Sequence, residues 1–408
     1  MLLDGQRTIA HFDLDCFFVS VECLKDHSLK GKPLLVGGKS DRAVVAACSY
    51  EARTFGIHSA MPMKMALRLC PHAIVRSGDF EEYSHFSREV TDIIAGSAPL
   101  YEKSSIDEFY LDLTGMDKYF GSLKWTSELR QQIMHKTRLP ISLGLASNKM
   151  VSKVATNEAK PNGQLSIPFG QEKGFLAPMP VEKIPMVGKE TAAQLRRRGV
   201  ETVKTLSEIP VGLLEAWMGK NGISLWNKAN GIDESPVVPF HEQKSISTES
   251  TFPQDTIDLG FMHGELVRMT EKIGFELRQQ NRLTGCVTVK IRYSDFETVT
   301  KQLSIPYSSS DHVLLGHVKQ LFTKLYDRRL LVRLIGIRFS NLVSGNYQIS
   351  LFDDTADMIS LYQAIDSIKS QFGWQYLMRG SSSSGNFEQQ LQPFQKETFI
   401  MKRRYPGH

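Results

Sequence analysis

The chain has 408 residues, enough for about two to four domains with cores that need no cross-links. A composition that is 41% hydrophobic and 23% charged excludes wholesale disorder and collagen-like repeats. The net charge of +5 is small, so it permits a polyanionic partner without requiring one.

Hydrophobicity and cysteine usage indicate the cellular compartment of the protein. No apolar run approaches the roughly 18 residues of a membrane span, and the first residues lack a secretory signal. The five cysteines are odd in number and form no C-x-x-C pair, which argues against a disulfide framework. We therefore expect a cytoplasmic protein with no membrane partner.

Strand and helix patterns alternate through the first 173 residues, which predicts a mixed α+β region. Strands are predicted at residues 7–14, 43–48, 109–113 and 141–146, and helices at residues 62–70 and 82–95.

The rest of the chain divides into four parts of different character. They are a run of short helices broken by Pro and Gly (174–233), an extended linker (234–244), a separate small domain of four strands and two helices (245–343), and a polar tail with one helix at 357–372 (344–408).

The first chemically informative residues are Asp13 and Asp15. On a strand, alternate side chains share a face, so these two carboxylates point the same way. A carboxylate at the end of a buried strand is costly unless it is paired or bound to a cation. The alternative is an ordinary strand end at the surface, and this segment alone does not decide between them.

A second acidic segment contains Asp107 and Glu108. Adjacent residues on an ideal strand face opposite ways, so these carboxylates converge only at a turn or a bulge, which the polar Lys103-Ser104-Ser105 before them allows. Three hard oxygen ligands from two neighbouring strands suit Mg²⁺. Two such ions can clamp the attacking and leaving oxygens of phosphoryl transfer.

Together the two segments resemble those of the Y-family DNA polymerases. They read Asp13-x-Asp15-x-Phe17-Phe18-x-x-Val21-Glu22 and Ser105-Ile106-Asp107-Glu108-x-Tyr110-Leu111-Asp112, in that order. The resemblance implies a multidomain α+β fold shaped like a right hand. Its parts are a ferredoxin-like palm with small fingers inserted at about 17–80 (1–173), a helical thumb with a helix-hairpin-helix (174–233), and a four-stranded α/β little finger (245–343).

The resemblance also implies roles for the acidic residues. Asp13 and Asp107 bind two catalytic Mg²⁺ ions, Glu108 completes the catalytic site, and the backbone carbonyl of Leu14 also reaches a metal. Asp15 receives a supporting role.

Residues 49–56 predict part of a nucleotide pocket. Ser49 can cap a helix start, and Tyr50 and Arg53 are three residues apart and share a face. Taken alone, an Arg in a first helical turn is more often a solvated surface residue. The segment resembles the fingers motif of the family, which implies that Tyr50 and Arg53 bind the triphosphate.

Three lysines form a second candidate phosphate contact. At 100° per residue, Lys149, Lys153 and Lys160 fall within about 40° of one another on a helix. Such a stripe is usually the solvated face of an amphipathic helix. The ending Ala159-Lys160-Pro161-Asn162-Gly163 resembles the family segment whose Lys contacts the incoming triphosphate. The role is therefore carried over to Lys160, and only loosely to Lys149 and Lys153.

Phe18 is a candidate for sugar selection. Considered alone, Phe17 and Phe18 are ordinary core aromatics. In the family, the aromatic five residues after the first metal-binding Asp is the steric gate that excludes a ribose 2′-hydroxyl. That position is Phe18 in this sequence.

DNA contacts are predicted in the thumb and the little finger. Residues 181–189 resemble a helix-hairpin-helix, which implies phosphate contacts at Gly188 and Lys189, although Met186 stands where the family usually has Gly. Gly219 marks a second candidate. Residues 241–343 hold 14 basic against 11 acidic side chains, so their overall charge says little and any DNA grip must lie on one basic face or in strand amides.

A peptide after the little finger resembles a clamp-binding motif. Residues 348–352 match Gln-x-x-Leu-Phe, by which bacterial polymerases bind the sliding clamp, the β subunit of the replicase; Gln348, Leu351 and Phe352 are its anchors. The same alternation fits an edge strand. The helix at 357–372 has no function that the sequence assigns.

The sequence therefore predicts an error-prone, template-directed DNA polymerase that adds dNTPs to a primer 3′ end. Its implied partners are primer-template DNA, dNTPs and the sliding clamp, and we expect a monomer. The resemblance further implies translesion synthesis and repair without a proofreading domain. Two rivals remain: a nucleotide cyclase, which also uses a carboxylate-bearing palm, and a noncatalytic clamp or DNA adaptor.

Overall fold

The computed structural model describes residues 7–40, 42–116, 121–239, 242–345, 355–373 and 376–380. The chain forms two compact units, Met1–His241 and Glu242–His408. The boundary between them falls within residues 234–244, where a linker is predicted. The finer domain boundaries remain predictions.

Strands and helices alternate through the first two thirds of the first unit, and short helices follow. Its elements are β1 (Ile9–Leu14), α1 (Phe17–Lys25), β2 (Leu34–Gly37), β3 (Val45–Cys48), α2 (Tyr50–Arg53), α3 (Met63–Leu69), β4 (Ile74–Arg76), α4 (Phe80–Ala95), β5 (Tyr101–Lys103), β6 (Glu108–Asp112), α5 (Ser122–Thr137), β7 (Ile141–Ala146), α6 (Lys149–Ala159), β8 (Gln164–Ser166), α7 (Glu172–Leu176), α8 (Lys189–Arg196), α9 (Val203–Glu208), α10 (Val211–Met218) and α11 (Lys220–Ala229).

A five-stranded sheet in the order β5-β6-β1-β7-β8 organises this unit, with β1 at its centre. Side chains alternate along β1 between the two sheet faces. Phe12 and Leu14 enter the largest hydrophobic core together with residues of α4 and α5. The side chains of His11 and Asp13 point to the other face, where His11 forms a hydrogen bond with Thr156 of α6 and Asp13 pairs with Lys160 just after the end of that helix. The alternation along β1 thus places apolar residues on the core face and polar residues on the face that carries the candidate site.

The helix α6 lies close against β7 because Gly144 has no side chain. A Cβ atom built at Gly144 would lie 2.1 Å from the carbonyl oxygen of Ser152, well inside van der Waals contact. The buried side of α6 includes Met150, Val151 and Val154. Its lysines pair with acidic residues of the neighbouring strands, Lys149 with Glu102 of β5 and Lys153 with Glu108 of β6.

A smaller three-stranded sheet, in the order β3-β2-β4, packs with α2 and α3 around its own core. Sequence reasoning predicted β3 and α3 but missed the short strands β2 and β4. The helix α1 does not belong to this small core, since Phe17 and Val21 pack into the large one. Part of the predicted fingers region therefore shares the core of the palm region.

The segment after the thumb helices is fastened to the first unit. Both carboxylate oxygens of Glu102 accept from the Lys149 ammonium, at 2.8 and 2.7 Å, and one also accepts from the backbone N–H of Val238. Asp233 accepts from the N–H of Met150. The first half of the predicted linker is thus hydrogen-bonded to the sheet and to α6 of the first unit.

The second unit begins after the linker. Its elements are β9 (Ser245–Thr256), α12 (Leu259–Gln279), β10 (Arg282–Tyr293), β11 (Thr298–Ser308), α13 (Asp311–Leu325), β12 (Val332–Ser344) and α14 (Thr355–Phe372). The strands form a four-stranded antiparallel sheet in the order β11-β10-β12-β9, which confirms the predicted group of four strands and two helices. Helices α12 and α13 cover one face of the sheet around a core that includes Val289, Ile335 and Phe339.

The helix α14 corresponds to the one predicted at residues 357–372, and it docks through polar contacts. The buried Arg278 of α12 binds Asp366 of α14 and Asp311 of α13, at 2.7 and 2.6 Å. Tyr362 of α14 is buried and accepts from the N–H of His312. This extra helix is therefore part of the second unit.

Of the helices in the described ranges, none combines the length and the apolar character that crossing a bilayer requires.

Candidate active site

Backbone pairing brings the predicted acidic residues to one corner of the large sheet. Asp13 of β1 lies directly opposite Glu108 of β6 in the antiparallel register. The N–H of Leu14 donates to the carbonyl of Asp107 at 3.1 Å. The Leu14 side chain is buried in the core, so only its backbone is available to a ligand at this corner.

The turn between β5 and β6 is held by Ser105, next to Asp107 and Glu108. The Ser105 hydroxyl accepts from the N–H groups of Asp107 and Glu108, at 3.2 and 3.0 Å. It also donates to the Asp107 carboxylate at 2.5 Å. This geometry confirms the predicted hairpin turn, which is what allows two adjacent carboxylates to approach one site.

Two lysines pair with the carboxylates of the corner. The Lys160 ammonium lies 2.5 Å from Asp13, and the Lys153 ammonium lies 2.5 Å from Glu108. Lys160 is not on the helical face predicted for it, because α6 ends at Ala159 and Lys160 has extended backbone. The chain direction after the helix end, and not helical periodicity, places Lys160 at Asp13.

The electrostatics of the corner favour an additional cation. Burial raises the pKa of Asp13 to about 7 against the opposing Lys160 ammonium, and the charges of Glu108 and Asp107 add to the rise. A positive ion near the three carboxylates would favour their ionised forms.

Hard carboxylate oxygens are the donors that Mg²⁺ prefers, so this donor set fits that ion. Within the described ranges, no group of three His, Cys, Asp or Glu side chains is already gathered tightly enough to hold a metal. Two of the three carboxylates contact lysines instead.

Asp15 has a different environment from Asp13. Its carboxylate accepts from the Ser142 hydroxyl at 2.9 Å, from the N–H of Asn162 at 2.7 Å, and from the Tyr50 hydroxyl at 3.4 Å. These bonds tie the Lys160–Asn162 segment and Tyr50 to the end of β1. They are consistent with the supporting role expected for Asp15.

The residues predicted to bind the nucleotide lie near Asp15 and its hydrogen-bond partners. Ser49 caps α2, its hydroxyl accepting from the N–H of Ala52 at 3.2 Å, as predicted. The Arg53 guanidinium lies 5.0 Å from the centre of the Tyr50 ring, so the two share a face. Because α2 spans only Tyr50–Arg53, any phosphate affinity here must come from side chains and not from a helix dipole.

Lys149 does not join this group. Its ammonium binds Glu102 and the carbonyl of Pro236, and it lies 4.7 Å from the centre of the Tyr110 ring. The loose expectation of a triphosphate contact at Lys149 is therefore not supported. The structure engages this residue in holding the linker segment.

Phe18 is held by an aromatic neighbour that sequence reasoning missed. Its ring stacks on Tyr83 of α4, with centroids 4.2 Å apart and planes 12° apart. The Tyr83 hydroxyl donates to Glu22 at 2.8 Å, which fixes the tyrosine in turn. Phe17 is a buried core residue. No local signal links residues 18 and 83, since only tertiary folding brings α1 and α4 together.

The predicted thumb hairpin has an unusual residue at its tip. Gly188 caps α8, and Lys189 is the first residue of that helix. Met186 has a left-handed φ of +75° and is 91% exposed, so it occupies a conformation that favours glycine. Gly219, between α10 and α11, has a φ of +61°. Phosphate contact at these positions remains a prediction.

The face of the second unit's sheet that the helices leave uncovered is polar. The strand registers place Lys290, Arg292 and Arg338 on one side of the sheet, among serine and threonine hydroxyls. A concave region of about 620 Å³ lies here, lined by Ser247, Thr288 and Thr300 among others. This is the basic face that overall charge could not reveal. The predicted clamp residues Gln348, Leu351 and Phe352 lie outside the described residues.

Family models match three stretches of the chain. A model of the impB/mucB/samB family matches residues 12–157, and the model of the C-terminal domain of that family matches residues 243–351. A model described as the DNA polymerase-iota thumb domain matches residues 182–233. Together these models cover the acidic corner, the helical segment and the open sheet.

Individual proteins are similar over most of the chain. DNA polymerase IV of Dehalococcoides mccartyi is 37% identical over 378 residues, covering 92% of this chain and 97% of the relative. DNA polymerase IV of Halorhodospira halophila is 37% identical, covering 85% of this chain and 98% of the relative.

Solved structures are similar as well. A Y-family DNA polymerase chimera of Dbh and Dpo4 has a TM-score of 0.73 at 25% identity, and an insertion ternary complex of Dbh DNA polymerase has a TM-score of 0.61 at 26% identity. Each covers 83% of this chain and 100% of the solved chain.

Proposed function

Because the chain belongs to the impB/mucB/samB family, the Y family of DNA polymerases, we propose that its acidic corner adds deoxynucleotides to a primer 3′ end on a DNA template. The observation that carries the proposal is that strand pairing places Asp13, Asp107 and Glu108 at one corner of the sheet, where Lys160 pairs with Asp13. In the reaction, the primer hydroxyl attacks the α-phosphorus of a dNTP, and pyrophosphate leaves.

The carboxylates of the corner are proposed to bind metal ions, and its lysine Lys160 to bind the nucleotide. Asp13, Asp107 and Glu108 are the residues that would hold two Mg²⁺ ions, with the backbone carbonyl of Leu14 as a further ligand. Such ions, when bound, activate the attacking oxygen and stabilise the leaving one. Lys160 exchanges its carboxylate partner for phosphate oxygens of the nucleotide, and Arg53 and Tyr50 bind the same triphosphate.

Sugar selection follows from the rigidity of Phe18. A ring that is stacked on Tyr83, which is itself anchored to Glu22, resists moving aside for a bulkier sugar. We propose that it packs against C2′ of the incoming nucleotide and clashes with a 2′-hydroxyl. Tyr83 then acts as a positioning residue for this gate.

DNA is proposed to contact two surfaces. The hairpin before α8 offers the N–H groups at Gly188 and Lys189, and the turn at Gly219 offers a second contact. The open sheet face offers Lys290 and Arg338 to the phosphate backbone.

In biological terms we propose translesion synthesis and DNA repair by a monomer without proofreading. We further propose that Gln348, Leu351 and Phe352 bind the sliding clamp and so raise processivity.

Primer extension tests the activity directly. The full chain, a primed template, Mg²⁺ and the four dNTPs should give products lengthened one nucleotide at a time, with pyrophosphate released. Omitting the template or adding excess EDTA should abolish extension. A folded chain that binds DNA but does not extend it would support the adaptor alternative, and a cyclic nucleotide formed from ATP without primer would support the cyclase alternative.

A further inference from the structure

One acidic side chain interrupts the basic face of the second unit. The strand registers align Glu249 of β9, Gly336 of β12, Lys290 of β10 and Thr300 of β11 in a single row across the sheet. Glu249 and Lys290 form an ion pair. In this row, an acid neutralises one of the cations that face outward.

The ion pair spans two strand spacings, from β9 across β12 to β10. Adjacent strands lie about 4.8 Å apart, so Glu249 and Lys290 begin about 10 Å apart and must lean towards each other across β12. Gly336 makes this possible, because a Cβ atom there would lie only 2.7 Å from Cγ of Glu249. The glutamate therefore occupies the space that a side chain at residue 336 would fill.

The pair lies in the concave region, where small hydroxyl residues leave room around it. Ser247, Thr288 and Thr300 line the same hollow. Both partners remain partly exposed, with 33% of the Lys290 side chain and 40% of the Glu249 side chain accessible. A polyanion can therefore reach Lys290, but it must compete with a carboxylate that is already there.

We propose that Glu249 is a built-in competitor for the DNA phosphate that Lys290 would bind, so that it limits the affinity of this face for DNA. This inference rests on the proposed DNA-binding role of the open sheet face. Exposed ion pairs are weak, so a phosphate can displace the carboxylate. The displaced carboxylate still repels the phosphate backbone. The open face therefore binds DNA less tightly than Lys290, Arg292 and Arg338 would without it.

The test is DNA binding by Glu249→Gln over a range of salt concentrations, measured by fluorescence anisotropy with the full chain and a primed duplex. Removing the competing charge should tighten binding roughly threefold to tenfold near 0.1 M salt, and should steepen the salt dependence by up to about one charge. Glu265→Gln is the matched control, since Glu265 pairs with Arg268 on the helix-covered side of the sheet. It makes the same change in net charge away from the open face.

A second pair of variants separates this inference from the proposal beneath it. Lys290→Gln should weaken binding, and adding Glu249→Gln to it should then have less effect than in the unaltered chain. If Lys290→Gln and Arg338→Gln both leave DNA binding unchanged, the open face is not a DNA surface. If they weaken binding while Glu249→Gln binds no more tightly than Glu265→Gln, the face binds DNA and the role of Glu249 is refuted.

Discussion

The acidic corner and the open sheet face contain the same kind of ion pair in opposite roles. At the corner, Lys160 and Lys153 pair with carboxylates in place of the expected metal ions, and 7–25% of each of these side chains is exposed. On the sheet face, Glu249 pairs with Lys290 in place of the expected phosphate, and 33–40% of each side chain is exposed. At the corner, a lysine ammonium occupies the position expected for a metal cation. On the sheet face, a glutamate carboxylate occupies the position expected for a phosphate anion.

The difference in burial predicts how each region responds to substitution. A buried carboxylate that loses its counter-charge is strongly penalised, whereas an exposed one is rehydrated. The corner should therefore respond to substitution with large changes in catalysis, and the sheet face with moderate changes in binding.

The largest effect is expected for Asp107→Asn. Losing one carboxylate charge disables the proposed metal pair, so extension should fall by a factor on the order of 1,000 or more. DNA affinity should stay near that of the unaltered chain, because Lys290 and Arg338 are unaffected. Single-turnover extension and anisotropy on the same preparation measure both. Turnover above a few per cent of the starting rate would refute the metal-binding role.

Next in size is the sugar selectivity of Phe18→Ala. Removing the ring should raise incorporation of CTP relative to dCTP by roughly 100-fold, since a pocket that excludes one hydroxyl by shape loses that discrimination. Tyr83→Leu is the informative companion, because it removes the stacking partner and leaves the ring. It should relax selectivity less than Phe18→Ala does. Unchanged discrimination in Phe18→Ala would return Phe18 to the role of a core aromatic.

The two regions also differ in how much of them the sequence could predict. The corner is encoded by local motifs, so the Asp13 and Asp107 segments and the turn at Ser105 could be recognised from the order of the residues alone. The triphosphate contact expected of Lys160 comes from the resemblance and stays a prediction, while the helical reasoning that grouped Lys160 with Lys149 and Lys153 was wrong, because the helix ends one residue earlier. Lys149 and Tyr83 depend on partners 47 and 65 residues away, and no local pattern encodes those.

The sheet face could be predicted only as an arrangement of elements. Alternation along β10 and β12 indicates that one face is buried, but the register between strands decides which charges become neighbours. The row of Glu249, Gly336 and Lys290 joins residues from three strands. Net charge averages over both faces, and so it concealed a basic surface interrupted by one acid.

A third prediction concerns the proposed clamp-binding peptide, residues 348–352, which belongs to neither the acidic corner nor the open sheet face. Replacing Leu351 and Phe352 with Ala removes the proposed clamp anchors, each worth roughly 1–3 kcal/mol at a hot spot. Insertion of one nucleotide on a short primer without clamp should be unchanged, because the corner and the sheet face are intact. Extension on a long template with loaded clamp should drop about tenfold towards the clamp-free level. If the double variant gains fully from the clamp, residues 348–352 do not bind it.

The smallest effect is expected at Met186, where the conformation of the thumb hairpin conflicts with its residue type. A non-glycine residue in left-handed backbone costs roughly 1–2 kcal/mol, and glycine loses about 0.5–1 kcal/mol more in conformational entropy on folding. Met186→Gly should therefore stabilise the first unit by about 0.5–1 kcal/mol, measured as a higher denaturant midpoint at an unchanged slope. Met186→Ala retains the unfavourable φ but removes the exposed side chain, so it should give no such gain in stability.

The DNA affinities of the two variants separate two effects of Met186. If both variants bind DNA more tightly, the methionine side chain obstructs a phosphate at the hairpin tip. If only Met186→Gly binds more tightly, the backbone shape of the hairpin controls the contact. If neither variant alters affinity while Lys290→Gln does, the open sheet face and not the hairpin tip provides the stronger grip on DNA.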